Sequence, residues 1–89
     1  QYDLKLQIAG ILPKPKKDEF LRGEVREGKK AGSFSVWTWY QNKLVCVEAL
    51  GDSQAYMVGK KLIEQNIPIS PAIIKDRSVD LKEMLKNLL

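Results

Sequence analysis

Two segments decide the fold of this chain: Phe34–Tyr40 (FSVWTWY) and Leu44–Leu50 (LVCVEAL). Both are rich in β-branched and aromatic residues, which favour β-strands. Only Gln41–Lys43 separates them, and Asn42 tolerates the positive φ that a tight hairpin turn requires. Because both segments carry apolar residues on both faces, the sequence predicts a central hairpin that is covered on each side.

Two further strands are predicted upstream of this hairpin. Residues Tyr2–Ala9 alternate between apolar and polar side chains, which is the period of a strand with one buried face. Phe20–Arg26 is a second predicted strand, weakened by Gly23. Between them, Lys14–Asp18 and its prolines predict a basic loop that can neither continue a ladder nor form a helix. The predicted buried face of the first strand consists of Tyr2, Leu4, Leu6 and Ile8.

After the hairpin, the periodicity changes to that of helices. Asp52 or Ser53 is the predicted cap of a helix that ends near residue 66. Ser70 predicts a short helical turn, and the capping box at Asp80 predicts a last helix. The sequence therefore predicts an α+β fold, an antiparallel sheet of about four to five strands followed by helices packed on one face. The first helix is predicted to bury Ala55, Val58, Gly59, Leu62 and Ile63 and to expose Met57, Lys60, Lys61 and Glu64, and the last to bury Leu81, Met84, Leu85 and Leu88.

Length and composition are those of an ordinary globular domain. The 89 residues suffice for one domain, 1–89, and are too few for two. Hydrophobic residues make up 44% of the chain and charged residues 29%, and the apolar runs are too short to span a membrane. The chain starts with Gln1 rather than methionine, as expected of a domain excised from a longer protein. The single Cys46 cannot form an internal disulfide, so we expect a buried thiol and a reducing, cytoplasmic compartment.

The sequence lacks the residues that an independent active site would need. With no histidine and one cysteine, it offers neither a metal cluster nor a nucleophile–base pair. No G-x-G-x-x-G motif follows a predicted strand, and there is no phosphate-binding lysine loop. We therefore assign no catalytic residue and no metal ligand to this chain.

Trp37 and Trp39 have two interpretations. They project to the same face of the third predicted strand, with Arg22 or Arg26 on the neighbouring strand. Aromatic and basic side chains on a sheet can stack nucleic-acid bases, and the net charge of +4 is compatible with nucleic acid or with an acidic protein. The favoured alternative is that both rings cover the sheet against helices, because the aromatic-glycine motif of a base-stacking platform is missing.

Five segments resemble the C-terminal domain of FAD-dependent NAD(P)H:ferredoxin reductases. This is the family of putidaredoxin reductase and of the reductases that serve aromatic-ring dioxygenases, within the pyridine nucleotide-disulfide oxidoreductase superfamily. Gln1–Gly10 is the specific match, and the others agree in order and spacing. Together they cover nearly the whole chain. The other four segments are Phe34–Val36, Leu44–Ala49, Gly59–Ile63 and Asp76–Met84.

The resemblance implies a division of labour between domains. FAD and NAD(P)H would bind to other domains of a full-length reductase, and this fragment alone would bind neither and be inactive. The C-terminal domain would wall the flavin pocket, with Gln1 and Tyr2 near it, and would help to dock an acidic ferredoxin. The implied docking residues are Met57, Lys60 and Lys61, and the next candidates are Lys14, Lys16 and Lys17.

Two other functions stay open on the sequence alone. One is a stand-alone basic module that binds nucleic acid through Trp37 and Trp39. The other is a purely structural domain that forms a homodimer. The segment Trp37–Trp39 also departs from the Phe-Tyr that the reductase family more often has, which leaves the identity of the redox partner open.

Overall fold

The computed structural model describes residues 4–89, which form one antiparallel sheet with three helices on one face. The elements are β1 (Leu6–Gly10), β2 (Leu21–Glu27), β3 (Phe34–Tyr40), β4 (Lys43–Leu50), α1 (Ser53–Glu64), α2 (Pro71–Lys75) and α3 (Leu81–Leu88). The strand order is β1-β4-β3-β2, so the central hairpin lies between the two strands that precede it in the chain. The predicted α+β fold is confirmed.

The central hairpin turns within two residues. Gln41 and Asn42 have φ angles of 51° and 65°, as in the type I′ turns whose twist matches that of the flanking strands. The prediction that Asn42 adopts positive φ is therefore confirmed. The register shifts between Thr38 and Trp39, a β-bulge after which Trp39 is paired with Leu44.

Each helix begins at the cap that the sequence predicts. The Asp52 carboxylate accepts a hydrogen bond from the backbone N of Ala55 at 3.1 Å, and Ser70 and Asp80 cap α2 and α3. Leu88, predicted to be buried, is instead 43% exposed because it lies in the last turn of α3, beyond the packed part of that helix. No helix within residues 4–89 is long and apolar enough to cross a membrane.

The core lies between the helices and one face of the sheet. Trp37 and Val47, at the centre of the sheet, are fully buried together with Ile74 of α2, and Leu62 of α1 is nearly so. Gly59 lets α1 approach the sheet closely, since a Cβ built there would lie 2.5 Å from Val47 Cγ2. We call the opposite side of the sheet the outer face.

The face of β1 that packs against the core is the opposite of the one that the sequence predicts. β1 begins only at Leu6, and Tyr2 lies outside the described residues. Leu6 and Ile8 are 60% and 53% exposed, whereas Ala9 is buried beside Val47 on the helix side. The alternation groups the apolar side chains correctly, but the helices pack on the opposite face of the strand.

The prediction that the central hairpin is covered on both faces is only partly correct. On the outer face, Thr38 and Cys46 are buried. Phe34 is 38% exposed, and Val36 and Leu50 are half-buried. Within residues 4–89, no helix packs on this end of the outer face, because α1 and α2 pack against the other side of the sheet and α3 packs against α1.

Candidate functional site

The exposed face of α1 is the first candidate, because the sequence predicts docking residues there. Lys60 and Lys61 are exposed, and Met57 is 66% exposed. Residues three and four positions apart are neighbours on a helix, so both lysines lie beside Met57. Buried Val58 and Leu62 fix the other side of α1 to the core. We call Met57, Lys60 and Lys61 the α1 patch.

The basic loop between β1 and β2 is the second candidate, and Glu19 fixes it to the central hairpin. The Glu19 carboxylate accepts hydrogen bonds from the Tyr40 hydroxyl, from Gln41 Nε2 at 2.8 Å and from the backbone N of Lys16 at 2.8 Å. The bond from Tyr40 is the main cause that lowers the pKa of Glu19, and the same bond raises the pKa of Tyr40. All three lysines of the loop are exposed: Lys14, Lys16 and Lys17.

A groove lies between the C-terminal end of α1 and the β3–β4 turn. The groove has a volume of about 200 Å³ and is lined by the last part of α1 and by the β3–β4 turn. The basic loop reaches this turn through the hydrogen bond between Glu19 and Gln41. Lys43, which lines the groove, is exposed as well. Sequence reasoning missed Lys43, because a lysine beside a hairpin turn is an ordinary surface residue and carries no signal of its own.

A larger cleft, of about 540 Å³, lies between the N-terminal ends of α1 and α3. Lys29 and Lys30 contribute cations to it, but the carboxylates of Asp52 and Asp80 cap both helices there. A phosphate binds a helix N-terminus through free N–H groups. Each capping carboxylate already engages one of them, that of Ala55 or of Glu83, and its negative charge would repel the phosphate. The cleft therefore does not fit the pyrophosphate of a dinucleotide, and residues 4–89 contain no glycine-rich loop between a strand and a helix that would.

Arg26, in the wall of this cleft, has a structural role that the sequence does not reveal. Its Nη1 donates to the carbonyl oxygens of Ile74 at 3.0 Å and Asp76 at 2.9 Å, and its Nη2 donates to that of Val79. Burial lowers the pKa of the guanidinium, which nevertheless stays charged. Sequence reasoning missed this role because the partners are backbone atoms 48 to 53 residues away.

Trp37 and Trp39 face the helices rather than solvent. The two side chains are 0% and 3% exposed. Trp37 Nε1 donates to Ser35 Oγ at 2.9 Å, and Trp39 Nε1 donates to the carbonyl oxygen of Ile69 at 2.9 Å. Because bases cannot stack on buried rings, these residues do not form a base-stacking platform. The favoured interpretation, that they cover the sheet against helices, is confirmed.

The remaining site predictions concern Cys46, the start of the chain and metal ions. Cys46 is 1% exposed, as predicted, and burial raises the pKa of its thiol. Gln1 and Tyr2, predicted to lie near a flavin pocket, are outside the described residues. Among residues 4–89, no group of three or more histidine, cysteine, aspartate or glutamate side chains could hold a metal ion.

Known proteins resemble this chain over most of its length. Residues 1–85 match the family described as Reductase C-terminal. The chain is 30% identical over 82 residues to rhodocoxin reductase of Rhodococcus erythropolis, covering 92% of this chain and 18% of that protein. It is also similar to the solved ferredoxin reductase for the CYP199A2 system from Rhodopseudomonas palustris, with a TM-score of 0.77 and 25% identity over 93% of this chain and 19% of that one. The chain thus spans about a fifth of the length of these relatives.

Proposed function

Because the chain belongs to the Reductase C-terminal family, as its sequence resemblance predicted, we propose that it is the C-terminal domain of an FAD-dependent oxidoreductase. The parent enzyme passes electrons from NAD(P)H through FAD to a ferredoxin-type iron–sulfur protein. In this proposal, residues 1–89 form one domain of a longer, cytoplasmic flavoprotein. The names of the two relatives, a rhodocoxin reductase and a ferredoxin reductase, support this assignment.

The proposed domain assists the chemistry without holding the cofactors. FAD, when bound to the parent, supplies hydride acceptance and the release of single electrons. The carboxylate-capped helix ends at Asp52 and Asp80 support the assignment of both dinucleotides to other domains. The contribution of this chain is to wall the flavin pocket, with Gln1 and Tyr2 near it, and to help to position the iron–sulfur protein.

The α1 patch is the proposed docking site for an acidic ferredoxin. The observation that carries this proposal is the joint exposure of Met57, Lys60 and Lys61 on one helix of a reductase-family chain. The lysines attract an acidic partner, and the net charge of +4 acts in the same direction. Met57 offers an apolar, adaptable contact between the two charges. The basic loop, whose three lysines are exposed, is a second cluster of positive charge on the surface.

A charge reversal at Lys60 in the full-length reductase tests the docking site. Lys60→Glu should raise the KM for ferredoxin about fivefold, a cost of about 1 kcal/mol, because exposed charges mainly change the encounter rate. The dependence of this KM on salt should become flatter. Reduction of a small artificial acceptor should not change, because the acceptor needs no docking surface.

Lys75→Glu provides the matched control. Lys75 is exposed at the end of α2, which packs against β2 at the other edge of the sheet from β1. Both substitutions change the net charge by the same amount. If ferredoxin contacts the α1 patch, only Lys60→Glu should raise the KM for ferredoxin. Equal effects would show that only net charge matters. Wild-type kinetics of Lys60→Glu at low salt would place the docking site elsewhere, with the basic loop as the next candidate.

A further inference from the structure

The outer face of the sheet carries an apolar patch that the helices leave open. Successive side chains of a strand point to opposite faces, so the register aligns two rows of outer-face side chains across the four strands. One row starts at Leu6 in β1 and the next at Ile8. We call this surface the outer patch: Leu6, Ile8, Val25, Phe34, Val36 and Leu50, with Glu48 in the second row. Glu27, which ends the first row in β2, is not counted in it because its carboxylate pairs with Arg77.

The exposure of the outer patch is that of an interaction surface. Leu6, Ile8 and Val25 are 60%, 53% and 63% exposed. Single exposed apolar residues are ordinary, but adjoining ones on one face of a sheet mark an interaction surface. Glu48 has no salt-bridge partner among residues 4–89. Because an unpaired charge is costly to bury, the covering surface should be apolar and should bring a cation to Glu48.

We propose that the outer patch is covered by the preceding part of the parent polypeptide, through an apolar surface with a lysine or arginine opposite Glu48. This inference rests on the proposed function only in taking the chain as the C-terminal part of a longer reductase. The relatives are about five times as long as this chain, and the family that matches residues 1–85 is described as C-terminal, which places the larger part of such a reductase before this domain.

The position of β1 favours the preceding domain over a second copy of the chain. The first row of the outer patch begins at Leu6, the first residue of β1. Residues 1–5 can span at most about 18 Å, so a domain joined to them is held beside the outer patch. Such tethering gives effective concentrations on the order of millimolar, which a second copy in free solution does not reach.

Cysteine labelling in the full-length reductase tests this inference. Leu6→Cys and Ile8→Cys place a thiol on the outer patch, and Leu89→Cys is the matched control because Leu89 is 64% exposed on the helix side. The label at each site is quantified by peptide mass spectrometry, and each rate is divided by that of the same site in denaturant. The native thiol of Cys46 is buried and contributes little. We expect Leu6→Cys and Ile8→Cys to react about tenfold or more slowly than Leu89→Cys, because reaction at a covered site requires local opening.

Three outcomes are distinguishable. Slow labelling that is independent of protein concentration in the monomeric reductase supports the inference. Slow labelling that disappears on dilution, in step with the dimer fraction, would show that a second copy covers the outer patch and would overturn it. Labelling as fast as that of Leu89→Cys would show that the face is free. None of these rates depends on ferredoxin reduction, so this inference and the proposed electron transfer can fail separately.

Hydroxyl-radical footprinting of the unmodified reductase gives the same comparison without a substitution. If a cysteine variant does not fold, oxidation of Leu6 relative to Leu89 replaces its labelling rate. Strong protection of Leu6 in the monomer supports the inference, and equal oxidation of the two leucines contradicts it.

Discussion

The guanidinium of Arg26 connects two parts of the chain that are remote in sequence. It lies in β2 and donates hydrogen bonds to three carbonyl groups in and after α2, those of Ile74, Asp76 and Val79. A planar guanidinium offers several donors in fixed directions, whereas a lysine ammonium is a compact point charge. The position therefore requires arginine rather than any cation.

Arg26→Lys should lower the free energy of unfolding by about 1–2 kcal/mol, because at least one partly buried carbonyl group loses its donor. Urea denaturation of the 89-residue chain measures this change. Arg22→Lys is the control on the same strand: among residues 4–89, Arg22 pairs only with Glu24, at 3.2 Å, and its side chain is 66% exposed. The control should change stability by less than about 0.5 kcal/mol. Equal losses in the two variants would contradict the structural role of Arg26.

At the scale of elements, α1 lies so close to β4 that one of its residues has no room for a side chain. A Cβ at Gly59 would lie 2.5 Å from Val47 Cγ2 and 2.7 Å from Val47 Cβ. Alanine is a better helix former than glycine by about 1 kcal/mol, so the gain in helix propensity opposes the cost of the clash with Val47. Since atoms cannot remain at such distances, helix or strand would have to shift.

Gly59→Ala should therefore destabilise the domain by about 1–2 kcal/mol, because overpacking outweighs helix propensity. Thermal or urea unfolding of the chain measures the loss. Adding Val47→Ala removes the clashing atoms, so the two substitutions together should cost less than the sum of their separate effects.

Gly23→Ala is the matched control for Gly59→Ala. A Cβ at Gly23 would have the Trp37 carbonyl oxygen as its nearest neighbour, at 4.0 Å. The substitution should leave stability unchanged or raise it. A stabilising Gly59→Ala, with no coupling to Val47→Ala, would show that α1 does not lie this close to β4.

At the scale of the whole molecule, the titratable groups divide into an acidic and an alkaline set. The pKa values of Glu19, Asp76 and Asp80 are lowered, chiefly by hydrogen bonds to their carboxylates. Those of Cys46 and Tyr40 are raised, by burial and by the bond to Glu19 respectively. The chain contains no histidine, so no side chain has an ordinary pKa between about 5 and 8.

Stability should therefore be constant between about pH 5 and pH 8 and fall on both sides. The lowered carboxylates stabilise the fold above their ordinary pKa, and this contribution is lost as the pH falls through their folded-state values. The raised groups contribute below their ordinary pKa, 9.0 for Cys46, and lose this contribution as the pH rises through their folded-state values. The urea midpoint measured from pH 2 to pH 11 gives the profile, and Glu19→Gln should remove part of its acid limb. A change in the urea midpoint between pH 6 and pH 7 would contradict the expectation that stability is constant in this range.

The sequence by itself determined the features that depend on neighbours a few residues apart. The hairpin at Gln41 and Asn42 follows from turn chemistry, and the helix starts follow from capping residues. The exposure of Met57, Lys60 and Lys61 follows from the helical period, so the α1 patch was predictable as a surface.

Only the tertiary structure decided which surfaces meet. Alternation along β1 groups Leu6 with Ile8, but whether that face meets the helices depends on the pairing of β1 with β4, about 40 residues later in the chain. The close approach at Gly59, the hydrogen bonds of Arg26 and the attachment of the basic loop through Glu19 likewise join residues more than 10 positions apart. Periodicity reports the environment of a residue within its own element, and it carries no information about which element lies opposite, because that choice is made by packing across the whole fold.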